Sequence, residues 1–155
     1  MMMSLSCDVI KALVGKTIVT AESCTGGGIG AALTAVPGSS EVYKGGIISY
    51  TNWVKKNLLH VDGVLLEKYG AVSAEVAKAM AEGARTALSA DIAVSVTGLA
   101  GPGGDDFGHP VGMVYIGYCD DNISEVISCF FEGSREEIRN QAIQAALKIV
   151  LERNH

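Results

Sequence analysis

A chain of 155 residues is long enough to enclose one hydrophobic core and short for two, so a single domain is expected. With 48% hydrophobic and only 19% charged residues, it is too apolar for disorder and implies strands buried on both faces. A net charge of -5 gives no chain-wide attraction to nucleic acid or anionic lipid and speaks against both as partners, leaving only a local basic patch as a route to either.

Residues 5–14 are expected to form a short helix, and the β-branched run 16–21 (KTIVTA), bounded by Gly15, a buried strand. Residues 26–34 read as a small-residue helix stopped by Pro37 and Gly38, and residues 45–50 as a second strand. Asn52 suits the N-cap of a helix over 53–59. Ser73 caps a longer helix ending near Ala90, since Val76, Met80, Ala84 and Leu88 recur at four-residue steps and Glu75 lies in the first turn, where the dipole favours an acid. Residues 91–97 form another buried strand, followed by a glycine-rich loop over 98–108. Residues 111–119 and 124–131 flank the turn residues Asp120, Asp121 and Asn122 and should pair as an antiparallel hairpin. Ser134 with Glu137 makes a capping box for a last helix whose core face is Ile138, Ala142, Ala145, Ala146, Ile149 and Val150. Helices alternating with strands predict an α/β fold, a three-layer α/β/α sandwich around a mixed, mostly parallel sheet. No repeat or linker divides residues 1–155.

Chemistry concentrates where buried strands end. Ser23, in the stretch ESCTGGG after the first strand, stands where open α/β sheets place ligands. The N–H groups near Gly26 and Gly27 would be unpaired there and able to hold an anion or the oxygen of a tetrahedral intermediate. Ser23 is then either a nucleophile or an ordinary capping hydroxyl. A dinucleotide fingerprint is weakened because the next strand ends in Ser49, Tyr50 and Thr51 with no acid for a ribose. A P-loop fails because Gly103 is followed by Gly104 and Asp105 rather than by lysine and a hydroxyl residue. Tyr50, Asn52 and Lys55 form a second group. Lys55 near a helix start is disfavoured as an ammonium, so it is either a neutral base or a solvated surface lysine. In the third group, Thr97 to Gly104, the N–H groups around Gly101 and Gly103 either converge on a phosphate or carboxamide or belong to a mobile connection. Arg139, in the second turn of the last helix, is a phosphate clamp or an exposed arginine.

Cys7, Cys24, Cys119 and Cys129 show neither the close pairing of a zinc site nor the density of a disulfide scaffold, so reduced thiols are expected. His60, His109 and His155 have no second ligand at metal-binding spacing, and no metal site is expected. The first fifteen residues lack a basic head before their apolar stretch and do not read as a secretory signal, and no apolar run spans a bilayer; a cytoplasmic protein is expected.

Taken together, TAESCTGG at Thr20 to Gly27, Y-x-N-x-x-K at Tyr50 to Lys55, TGLAGPGG at Thr97 to Gly104 and PVG at Pro110 to Gly112 resemble the C-terminal domain family of the competence/damage-inducible protein CinA. Stand-alone members of that family are nicotinamide mononucleotide (NMN) deamidases. The resemblance covers nearly the whole chain and none of the family's N-terminal domain. It implies hydrolysis of the NMN carboxamide to nicotinic acid mononucleotide and ammonia, with no cofactor and no metal. The family's catalytic serine, tyrosine and lysine fall on Ser23, Tyr50 and Lys55, its threonine on Thr97 and its arginine on Arg139. The chain departs from the family pattern between Gly104 and Pro110, where DDFGH places His109 at the position of a lysine.

The expected mechanism is acyl transfer: neutral Lys55, oriented with Tyr50, takes the Ser23 proton, and Gly26 and Gly27 donate to the oxyanion. A non-catalytic nucleotide-binding or scaffolding module is the alternative. The expected partner is the small-molecule nucleotide, with no nucleic acid and no membrane, and a small domain of low charged fraction suits a homo-oligomer.

Overall fold

The computed structural model describes residues 1–155. Helix α1 (Met2–Ala12) leads to β1 (Ile18–Glu22), α2 (Gly28–Thr34), a 3-10 turn (Ser39–Glu41) and β2 (Tyr43–Ile48). Three helices follow, α3 (Asn52–Leu58), α4 (Gly63–Tyr69) and α5 (Ala74–Ala87), then β3 (Ile92–Gly98), the hairpin β4 (Met113–Cys119) and β5 (Ser124–Phe130), and α6 (Arg135–Asn154).

The five strands lie in the order β2-β1-β3-β4-β5. β1 runs parallel to both β2 and β3, while β4 is antiparallel to β3 and to β5, so four strands share one direction and β4 opposes them. The mixed, mostly parallel α/β sheet is as the sequence predicts. Side chains alternate across it at the period of two that a pleated strand imposes. Ile18 and, on β3, Ile92, Val94 and Val96 face a core shared with Val9, Leu13, Ile29, Leu33, Ile138 and Leu147 of α1, α2, α6 and their flanks. Val19, Ala21 and Ala93 face the opposite way, into a core with Leu59, Val76 and Met80 under α3 to α5. Every residue of β1 is buried, as befits a strand with neighbours on both edges.

The local signals act as their chemistry demands. Ser134 accepts from Glu137 N (3.2 Å) while Glu137 Oε1 accepts from Ser134 N (2.9 Å), closing the capping box that starts α6. The β4–β5 turn is tied by Asp120, whose Oδ1 accepts from the N–H groups of Asn122 and Ile123. Beyond shifts of a few residues, such as α1 over 2–12 rather than 5–14 and β2 over 43–48 rather than 45–50, two features differ from expectation. Thr51 rather than Asn52 caps α3, through Val54 N (3.4 Å), and α4 is an element that the pattern did not predict. It is seven residues long, capped by Asp62, ended by Gly70, and buries only Leu66, too little apolar periodicity to register. No helix is long and apolar enough to cross a membrane.

Gly83 on α5 lets that helix lie against the turn that ends α3, because a Cβ there would overlap the Leu59 carbonyl. Gly83→Ala is expected to lower unfolding free energy by about 1–3 kcal/mol, the cost of forcing backbone apart in a packed core, as read from a urea unfolding curve.

β1 leads to β2 on one side, and the chain then crosses to β3 on the other side of β1. The ends of these three parallel strands therefore border one crevice at the point where the strand order reverses.

Candidate functional site

Each of the three strands delivers one segment to that crevice. Ser23 follows β1 and is fixed to β3 by its N–H, which donates to the Val96 carbonyl (2.9 Å). Ser49 and Tyr50 follow β2, and Ser49 N donates to the Glu22 carbonyl (2.7 Å), so β1 and β2 hold together to their last residues. Helix α3 then turns Lys55 back toward β1.

Lys55 is 1% exposed. Its Nζ lies 3.0 Å from Ser23 Oγ, 2.7 Å from the Ser49 carbonyl and 3.5 Å from the Tyr50 carbonyl. No carboxylate pairs with it. Burial in these surroundings pulls its pKa down from 10.5 to about 8, since removing an ammonium from water costs more than the adjacent groups return. Burial is thus the main cause. Once neutral, the amine keeps two N–H donors for the two carbonyls, and its lone pair is left for the Ser23 hydroxyl. Cys24, the other nucleophile nearby, is held in the thiol form because burial pushes its pKa up to about 11.

Tyr50 takes part differently from the expectation. Its carbonyl is near Lys55, but its half-exposed side chain points its hydroxyl to Arg135, which donates from Nη2 (3.2 Å). The lysine is oriented by main-chain oxygens rather than by the phenol.

The start of α2 also differs. The N–H of Gly26 donates to the Ser23 carbonyl (3.0 Å), Gly27 caps the helix with φ +102°, and neither residue lines the cavity described below. The helix N–H groups of Ile29 and Gly30 are taken by the carboxylate of Glu22, at 2.8 and 3.0 Å, and the same carboxylate accepts from Thr25 Oγ1 (2.7 Å). Glu22, 2% exposed, therefore fills from within the anion position that sequence reasoning assigned to a ligand. It is a positioning residue that the sequence reading did not single out. The N–H of Cys24, the residue after Ser23, donates to no other residue, and Cys24 lines the cavity.

Ser23, Tyr50, Lys55, Thr97, Gly101 and Gly103 share a cavity of about 460 Å³. The Thr97 hydroxyl donates to the Ala71 carbonyl (2.7 Å), which ties the end of β3 to the segment before α5. Arg139 stands outside this lining: its Nε donates to the Cys24 carbonyl (3.0 Å) and its Nη2 to the Thr25 carbonyl (3.2 Å), bracing the turn that presents Ser23. The cavity arginine is Arg135, one turn earlier, whose Nη1 donates to the Gly101 carbonyl (2.5 Å). A guanidinium has five donors, so Arg135 keeps N–H groups for an anion after making these two bonds. Its position four residues before Arg139 was the signal for it. Asp105, Asp106 and Phe107, from the glycine-rich loop, complete the wall. No group of three His, Cys, Asp or Glu side chains is placed to hold a metal ion.

A buried hydroxyl beside an amine that loses its proton near pH 8, a main-chain N–H next to the hydroxyl, and an arginine at the cavity wall form an arrangement suited to acyl transfer from an anionic substrate.

Solved structures of similar fold match nearly the whole chain. The structure of the competence-damaged protein (CinA) superfamily protein from Klebsiella pneumoniae 700603 superposes with a TM-score of 0.96 at 33% identity, covering 99% of this chain and 97% of that one. The competence/damage inducible protein CihA from Agrobacterium tumefaciens gives 0.95 at 37% identity, covering 99% of this chain and 96% of that one. Among curated sequences, a CinA-like protein of Parasynechococcus marenigrum is 59% identical over 102 residues, 66% of this chain and 24% of that protein. A CinA-like protein of Acidobacterium capsulatum is 46% identical over 139 residues, 90% of this chain and 34% of that protein. The chain thus spans about a quarter to a third of the length of these curated relatives. The family model for the CinA C-terminal domain matches residues 4–153, and the chain belongs to that family.

Proposed function

We propose that this domain is an amidohydrolase that converts NMN to nicotinic acid mononucleotide and ammonia, with Ser23 as nucleophile and Lys55 as base. The observation that carries this reading is the 3.0 Å contact between the buried Lys55 amine and the Ser23 hydroxyl. Neutral Lys55 takes the hydroxyl proton as Ser23 Oγ attacks the carboxamide carbon. The oxygen of the tetrahedral intermediate takes up negative charge next to the Cys24 N–H, an interaction commonly worth about 3 kcal/mol per donor. The lysine ammonium passes its proton to the departing nitrogen, ammonia leaves, and an ester to Ser23 remains. Water then attacks the ester carbonyl with Lys55 again as base, the acid is released, and the serine recovers its proton.

Arg135 binds the phosphate in this scheme. Arg135→Ala is expected to raise KM for NMN about 10- to 100-fold, the range for a lost charge-assisted hydrogen bond, with a smaller change in kcat. Steady-state ammonia release measures both. The reading itself is tested by ammonia release from NMN paired with calorimetry on the same protein: turnover supports it, and tight binding with no ammonia would replace it with a nucleotide-binding module. The cytoplasmic setting and self-association expected from sequence are part of the same proposal.

A further inference from the structure

The wall made by residues 105–109 is built more firmly than a glycine-rich connection requires. Asp105 Oδ1 accepts from the N–H groups of Phe107 (3.1 Å) and His109 (3.0 Å), and its Oδ2 pairs with His109 Nδ1 (2.6 Å). Both ends of the loop tip are thereby tied to one carboxylate. Burial works against ionisation of Asp105, but the hydrogen bonds from His109 and Phe107 outweigh it and hold the carboxyl below its usual range.

This frame holds the ring of Phe107. The ring lies against Gly70, where a Cβ would stand 2.6 Å from Cδ2, so only a glycine lets it settle there. Even so packed, Phe107 remains 47% exposed, and it lines the same cavity as Ser23 and Lys55. The ring is held against Gly70 and beside the His109 imidazole, with 6.4 Å between centroids and 28° between planes, and its exposed part borders the cavity. Its neighbour Asp106 is exposed, lines the same wall and pairs with no cation. The two cations of the lining come from other elements, Lys55 from α3 and Arg135 from α6, and Arg135 is engaged by Gly101 and Tyr50.

We propose that Phe107 is the stacking face for a flat, positively charged aromatic ring, and that Asp106 beside it makes the cavity prefer that cation to a neutral ring of the same shape. The electron-rich face of a benzene ring attracts a cation, and an unpaired carboxylate nearby adds to the attraction. This deepens the amidohydrolase reading and rests on it for the amide: the preferred substrates are N-substituted pyridinium carboxamides, and reduced or unsubstituted nicotinamides are disfavoured.

The probes are 1-methylnicotinamide, a cation, and nicotinamide, its neutral counterpart, titrated by NMR into the Ser23→Ala protein so that no turnover occurs. The cation is expected to bind about tenfold more tightly. Adding Phe107→Leu should remove most of that preference while changing nicotinamide affinity little, and Asp106→Asn should reduce it in part. Phe107 is half exposed, so the leucine variant is expected to fold, as its unfolding transition would show. Equal binding of the two probes, or an unchanged preference in the Phe107→Leu protein, would overturn the proposal. The result is separable from hydrolysis: a ring preference without ammonia release from NMN would leave stacking standing and remove the amidohydrolase reading, and the reverse pattern would remove stacking alone.

Discussion

Ser23→Ala is expected to lower ammonia release from NMN by a factor of at least about 10³ while leaving the protein folded. Neither of the nearest alternatives, Cys24 and Thr97, is placed to replace the hydroxyl as nucleophile. The adjacent Cys24 is held as a thiol with a pKa of about 11, and the Thr97 hydroxyl is engaged with the Ala71 carbonyl. The fold has little stake in the Ser23 side chain, because the strand-end contact is made by its N–H to Val96 and persists in alanine. Lys55 would keep its two carbonyl partners, so stability should change by no more than about 1 kcal/mol. Ammonia release and a denaturant melt on the same preparation check both halves.

Lys55→Met has the second large expected effect, and its two parts run in opposite directions. Loss of the base should reduce turnover about as far as loss of the nucleophile, since residues that act as one unit fail together. Stability should rise. The unfolded chain holds this lysine with the ordinary pKa of 10.5, and the folded chain holds it with one near 8. Between those values the unfolded state binds more protons, so the contribution of Lys55 to stability increases as pH rises from about 8 to 10.5 and is unfavourable below. The gap corresponds to up to about 3 kcal/mol near neutral pH, which methionine would recover in part by filling the same channel without a charge. Cys24, Cys119 and Tyr118 have raised pKa values and titrate in the opposite sense. They are common to wild type and variant, so the difference between the two across pH 7 to 10 reports the lysine together with its coupling to Cys24. A variant less stable than wild type at pH 7 would mean that the lysine's hydrogen bonds outweigh its burial.

The sheet was legible because its strands are β-branched runs with turn residues between them, and Ser134 with Glu137 announced α6 through a reciprocal pair of residues. Ser23 and Lys55 were legible as candidates, since a serine at a strand-to-helix turn and a lysine near a helix start are each unusual. Their meeting was legible only through the family resemblance, because 32 residues separate them and the contact depends on how α3 returns across the end of β2. Glu22 went unremarked because nothing local says that a carboxylate at a strand end will curl onto the helix it precedes. Arg135 and Arg139 lie one turn apart on α6, and periodicity gives them the same face. Which of them reaches the cavity is decided by the Cys24 and Thr25 carbonyls, which engage Arg139 first. The short helix α4 left no trace, as one buried residue makes no pattern.

The rate of ammonia release from NMN as a function of pH tests the shared proton between Ser23 and Lys55 most directly. If the neutral amine is the base, kcat/KM should climb about tenfold per pH unit on the acid side and level off near pH 8, the pKa that burial gives Lys55. A profile that is flat from pH 6 to 9, or that falls as the amine loses its proton, would contradict it.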